Sequence, residues 1–189
     1  TIVDVLKMPE NSVLGHLNWG TFALQDVVSK NGGSSPFGNA GVRYVGSADD
    51  VKLNASIPRF KPDPKAVAKF SADVNHAGKF AVPVISSHAI NDSTVFVEGQ
   101  DVLRQKMKAA GKDHLLVQTY VDSREHSYWG DAHYPPLFNA LLQWVEKRQK
   151  PSPSDIDQQC KQLSSAKPAD CRFLPNYAVK PIASRIHPR

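Results

Sequence analysis

Two short runs, Phe80-Ala-Val-Pro-Val-Ile-Ser-Ser87 and Leu115-Leu-Val-Gln-Thr-Tyr-Val121, decide the fold of this chain. Each has the length and the β-branched, apolar composition of a strand. Between them, Glu98 to Ala110 reads as a helix closed by Gly111. Strands joined through a helix are parallel. The loops that follow them therefore leave the same carboxyl edge of the sheet, where open α/β proteins place their chemistry. One loop holds Asp92 and the other His126. An acid and an imidazole on neighbouring loops of that edge can meet, giving two members of a nucleophile–histidine–acid triad. Asp122 and Glu98 are rival acids, although Asp122 is close enough in sequence to His126 to serve mainly in shaping its loop.

Working outward, the sequence divides into a helical lid or cap region (1–78), the α/β part (79–150) and a Pro-rich tail (151–189). In the first, Trp19, Phe22, Ala23, Val27 and Val28 recur at helical spacing, and Gly32-Gly33 stops the run. Ser47-Ala-Asp-Asp50 resembles a capping box. Asp63-Pro64 starts another helix, a carboxylate cap followed by proline at the first helical position. Its apolar face is Ala66, Val67, Phe70 and Val74, and Gly78 ends it. Pro83 belongs near the start of its strand, because proline cannot donate to a ladder. Tyr134-Pro135-Pro136 opens a last helix with Leu137, Phe138, Leu141, Leu142 and Val145 as its expected buried stripe. The tail reads as an extended arm.

With only two confident strands, the sheet is too small to stand alone. The chain therefore looks like the latter part of a larger fold, its sheet completed by a missing or separate chain. It starts at Thr1 without a methionine, as a processed product or a fragment would. The formal net charge of +5 is spread thinly, apart from Lys147-Arg148-Gln149-Lys150. A nucleic-acid face would cluster its basic residues, so nucleic acid is not the expected partner. No apolar run approaches the ~18 residues of a membrane span, and no signal peptide is visible. Cys160 and Cys171 lack metal-ligand spacing and read as a local disulfide, contributing roughly 2–3 kcal/mol. A disulfide implies an oxidising setting, secreted or periplasmic.

Pro83-Val-Ile-Ser-Ser-His-Ala-Ile-Asn-Asp92-Ser-Thr-Val resembles the late, acid-bearing strand segment of α/β-hydrolases. Met107 to Val121 resembles the next helix and strand of that family. Arg124-Glu-His126-Ser then falls where the family carries its catalytic histidine, and Phe138-Asn-Ala-Leu-Leu-Gln-Trp-Val145 is similar to its closing helix. Asn39 to Asp50 resembles the inserted lid of some bacterial serine esterase-like members. The likeness covers about residues 36–148 and rests on the order of these segments. It implies an α/β fold, the last βαβ unit of an α/β-hydrolase with a helical lid. It also implies Asp92 as triad acid, His126 as general base, no cofactor, and an ester or, less readily, an amide as substrate. Three departures stand out. Glu125 replaces the usual glycine before the histidine, no proline follows Asp92, and Gly-x-Ser-x-Gly is missing. In this family the serine precedes the acid and histidine. It is therefore expected upstream of Thr1 or on a second polypeptide.

Other residues carry weaker signals. Gly32-Gly-Ser34-Ser35-Pro36 and Gly46-Ser47-Ala48 do not join a strand to a helix as a nucleophile elbow must. Trp19, Phe22, Phe37 and Tyr44 lie in the cap region and are expected to bind substrate, or else to dock the cap. His88 should pack at the end of its strand. His133 with Asp131 imitates a metal cluster but has no helical i, i+4 partner, so no metal is expected. For His16, His76, His114 and His187 the sequence alone names no partner. Asn54-Ala-Ser56 and Asn91-Asp-Ser93 match a glycosylation triplet. Two other classes remain open. One is a non-catalytic binding subunit. The other is a self-processing amidase whose N-terminal Thr1 is the nucleophile.

Overall fold

A computed structural model describes Val3 and residues 7–184; Thr1 and His187 lie outside the described residues. The chain forms two compact units, one reaching to His76 and the other spanning Ala77–Ile182.

The first unit is helical: α1 (Val13–Lys30), α2 (Asp50–Ser56) and α3 (Pro64–Val74). The Asp63 carboxylate accepts from Ala66 N at 2.8 Å with Pro64 at the first turn, as its sequence requires. The expected cap at Ser47 is displaced. Asp49 caps α2 by accepting from Lys52 N, while the Asp50 carboxylate turns back to Gly46 N and to Ser47. These bonds hold the Asp50 carboxyl below its ordinary pKa, the Ser47 hydroxyl being the largest cause. Arg59 organises the intervening loop, donating to Asn39 O, Val42 O and Asn54 O. The apolar face foreseen for α1 is not buried, with Trp19 62% and Phe22 68% exposed. On α3 only Ala66 is buried; Val67 and Val74 are exposed.

The second unit is α/β. Strands β1 (Val84–Ala89) and β2 (Leu116–Val121) pair in parallel, Val84 opposite Leu116 and Ala89 opposite Val121. The crossover is α4 (Gly99–Ala109). β1 starts one residue after Pro83 rather than at Phe80, for the reason given by proline's missing donor, and runs on to Ala89. Gly111 closes α4 in the left-handed region, with Lys112 N bonded back to Met107 O. Gly78 does not end α3, which stops at Val74. It instead passes so close to α4 that an added Cβ would lie 2.4 Å from the Lys106 carbonyl.

The tail is not an extended arm. Pro153–Leu163 is a helix, α6, following the closing helix α5 (Tyr134–Lys147). Ser152 and Asp155 form a reciprocal capping box with Pro153 at the first turn. These bonds to Ser152 also depress the Asp155 pKa. Ile156, Cys160, Cys171 and Phe173 then join Val117, Val121, Ala140 and Trp144 in one hydrophobic core. The buried residues of α5 are Pro136, Ala140 and Trp144, and of the expected stripe Leu137 packs, partly buried, against the core. Phe138 (65%), Leu142 (53%) and Val145 (57%) face outward. Replacing Ile156, fully buried, by alanine should cost about 2–5 kcal/mol. Urea denaturation of the variant should show a lower midpoint at an unchanged slope.

Cys160 and Cys171 form a disulfide across the turn that follows α6. The segment after it lies antiparallel to the end of β2, through a bridge between Val121 and Phe173. Among the described residues no helix is long and apolar enough to cross a membrane.

Candidate functional site

The parallel pairing of β1 and β2 does not stop with the strands. Ile90 N donates to Val121 O at 3.0 Å and Asn91 N to Ser123 O at 3.1 Å. These two bonds tie the loop after β1 to the loop after β2. They set Asp92 and His126 side by side at the carboxyl edge.

There the His126 Nδ1 and Asp92 Oδ2 atoms lie 2.8 Å apart. The Asp92 side chain is 2% exposed, whereas that of His126 is 48% exposed. The buried carboxylate is solvated by the protein. Its Oδ1 accepts from Thr94 N at 2.7 Å and Val95 N at 3.0 Å, the turn chemistry available to an Asn-Asp-Ser-Thr sequence. With Oδ1 so engaged, Oδ2 is left for the imidazole. His88, buried at the end of β1, has its Nε2 3.9 Å from Oδ2 and its Nδ1 2.8 Å from Ala89 O. An Nδ1–H donated to Asp92 leaves His126 Nε2 as the acceptor, half-exposed and able to receive a proton. Chemically, such a pair can serve as a general base with its orienting acid.

The rival acids lie elsewhere. Asp122 is exposed, and its backbone N donates to Arg172 O at 2.8 Å. Glu98 is buried at the start of α4. His126's own loop is shaped by Ser123, whose Oγ accepts from Glu125 N at 3.1 Å, and by Trp129, which donates to Glu125 O at 3.1 Å. Glu125 thus fits a turn secured by a hydroxyl, in the position where the resemblance led to a glycine. Neither Ser123 nor Arg172 was picked out from the sequence. A serine two residues before Glu125 is an available turn signal, whereas nothing local marks Arg172.

His133 is fully buried and its two ring nitrogens meet backbone groups. Nε2 accepts from Arg172 N at 3.1 Å and Nδ1 lies 3.3 Å from Gly130 O. That arrangement is the neutral tautomer. Burial pushes its pKa below the ordinary value, opposed by the Gly130 carbonyl and assisted by the Arg172 charge. The unfolded chain protonates near pH ~6.5 and the folded chain only at lower pH. Neutral His133 therefore adds stability that is complete above about pH 6.5 and fades as pH falls toward the folded-state value. His133→Gln, which keeps an acceptor for Arg172 N and does not titrate, should lose less thermal stability between pH 7 and pH 5 than the wild type. Equal losses in the two proteins would refute the assignment.

The four candidate substrate residues of the helical unit are not gathered together. Phe37 lines a groove of about 500 Å³ with Leu24, Val28 and Phe60. Its ring meets Phe70 edge-on at 5.1 Å. Tyr44 lines a separate one of about 620 Å³ beside Arg43, Asn54 and Arg59. Trp19 and Phe22 line neither. The Asn54 side-chain amide donates to Tyr44 O and Asp50 O, so glycosylation there would break the loop. Comparison with protein-family models, with curated proteins and with solved structures finds no match to this chain.

Proposed function

We propose that this chain supplies the acid and base of a serine hydrolase of α/β-hydrolase type, acting on an ester in preference to an amide. The observation that carries the reading is the 2.8 Å Asp92–His126 pair on adjoining loops of a parallel strand pair. In this mechanism His126 Nε2 takes the proton of a serine hydroxyl as its oxygen attacks the ester carbonyl carbon. Asp92 stabilises the imidazolium. The proton then passes to the departing alcohol, leaving an acyl-enzyme. Water, deprotonated in the same way, releases the acid.

The serine and the oxyanion hole belong to polypeptide outside these residues, either a preceding segment or a second chain. Two features of the α/β unit support such a neighbour. Among the described residues β1 pairs only with β2, so its other edge is available to further strands. Phe138, Leu142 and Val145 also form an exposed apolar stripe along α5, of the kind that marks an interaction surface. The resemblance gives the helical unit the part of a lid, with Trp19, Phe22, Phe37 and Tyr44 as its candidate substrate-binding side chains. The disulfide favours a secreted or periplasmic setting.

The test is a fluorophosphonate probe applied to the chain purified with whatever accompanies it in the cells that make it. The expected result is a labelled serine outside residues 1–189, with labelling lost in His126→Ala. Absence of labelling in the complete assembly would overturn the hydrolase reading and leave a non-catalytic binding subunit. Loss of activity on acetylating Thr1 would replace it with an N-terminal-threonine amidase.

A further inference from the structure

The loop that carries His126 leaves β2 after Val121 and rejoins regular structure beyond Trp129. Its two ends are joined by one side chain from a distant part of the chain. Arg172 Nη1 donates to Asp122 O at 3.0 Å and Nη2 donates to Trp129 O at 2.8 Å. The backbone of the same residue is committed to the same place. Arg172 O accepts from Asp122 N at 2.8 Å, and Arg172 N donates to His133 Nε2 at 3.1 Å. Its neighbours fix it from both sides. Cys171 is bonded to Cys160, which is fully buried in the core, and Phe173 is buried against the His133 ring.

We propose that Arg172, secured by the Cys160–Cys171 disulfide, is the positioning residue that holds the His126 loop in the geometry where its imidazole meets Asp92. The relevance of this to turnover rests on the hydrolase reading; the positioning itself does not. Arg172 is exposed, so its bonds compete with water and add little to global stability. What they supply is shape. A planar guanidinium can bridge two carbonyls at once, holding both ends of the loop at fixed separation. A lysine ammonium is a single point on a flexible stem and does not reproduce that fork.

The experiment reads the His126 ring, not activity. The full chain is labelled with ¹⁵N-histidine, and the His126 nitrogens are followed by NMR in the wild type, Arg172→Met and Arg172→Lys. The wild type should show one tautomer, with the proton on Nδ1 and a protected, downfield Nδ1 proton. In Arg172→Met that proton signal should be lost and the nitrogen shifts should move to the mixed values of free imidazole. The Thr94 and Val95 amides, bonded to Asp92, should stay in place as a check that the acid loop is intact. Arg172→Lys should resemble the methionine variant. Reducing the wild type with dithiothreitol should give the same loss. That reagent closes to its cyclic disulfide as the Cys160–Cys171 bond takes up two electrons and two protons. Cys160→Ser/Cys171→Ser should match the reduced protein if reduction proves incomplete. An unchanged His126 ring in Arg172→Met, a lysine variant indistinguishable from the wild type, or indifference to both loss and reduction of the disulfide each overturns the proposal. A responsive ring in an assembly that no serine probe labels would overturn the hydrolase reading alone.

Discussion

Replacing His126 by alanine in the complete assembly is expected to lower turnover by roughly 10⁴–10⁶-fold and to leave the fold intact. The two parts of this expectation have separate grounds. The ring is half-exposed and belongs to no part of the hydrophobic core, so its removal opens no cavity. Among the described residues its ring bonds to Asp92, which keeps two backbone donors on Oδ1 when the ring is gone. In the proposed mechanism, by contrast, the chemistry would lose both the group that accepts the serine proton and the group that returns it to the leaving alcohol, because a single imidazole would perform both transfers. The comparison needs kcat and kcat/KM on a chromogenic ester, together with far-UV circular dichroism of the variant. Turnover within tenfold of the wild type, with unchanged dichroism, would remove His126 from the mechanism.

Asp92→Asn tests the tautomer. Asparagine can keep its Oδ1 beneath Thr94 N and Val95 N, so the turn survives. Its Nδ2, placed where Oδ2 was, presents hydrogens to His126 Nδ1. The imidazole must then carry its proton on Nε2, where it can no longer accept one from a hydroxyl. The expected loss in kcat is about 10⁴-fold, with little change in KM because the substrate is not touched. Asp92→Ala should fall as far in activity and further in stability, since it leaves the Thr94 and Val95 amides without their acceptor. An asparagine variant that turns over at the wild-type rate would show that the carboxylate only shapes its loop.

The α/β core was legible in the sequence because its determinants are local. The two β-branched runs, the crossover between them and Gly111 mark the fold's edges with few alternatives, and the acid–base pair follows from parallel topology. The tail helix was also marked, by Ser152-Pro153-Ser-Asp155 and by Ile156 and Cys160 one helical turn apart, but its proline and serine content favours an extended reading. The face of α5 was not legible. Phe138, Leu142 and Val145 are strongly apolar yet exposed, while Ala140, Trp144 and in part Leu137 meet the core, where α6 packs. A helix with apolar residues on two faces does not say which one its own chain will cover. Arg172 was hidden for a different reason, being joined to Asp122 across 50 residues of sequence. No short-range pattern encodes such a pairing.

That separation has a consequence for biosynthesis. At roughly 5–20 residues per second, the ribosome delivers Asp92 and His126 seconds before it delivers Arg172 and Phe173. During that interval the nascent polypeptide holds both β-strands but lacks the residues that complete their core. If Arg172 positions the His126 loop as proposed, organisation of the acid–base edge trails synthesis of the strands that carry it and is finished when Cys171 is oxidised.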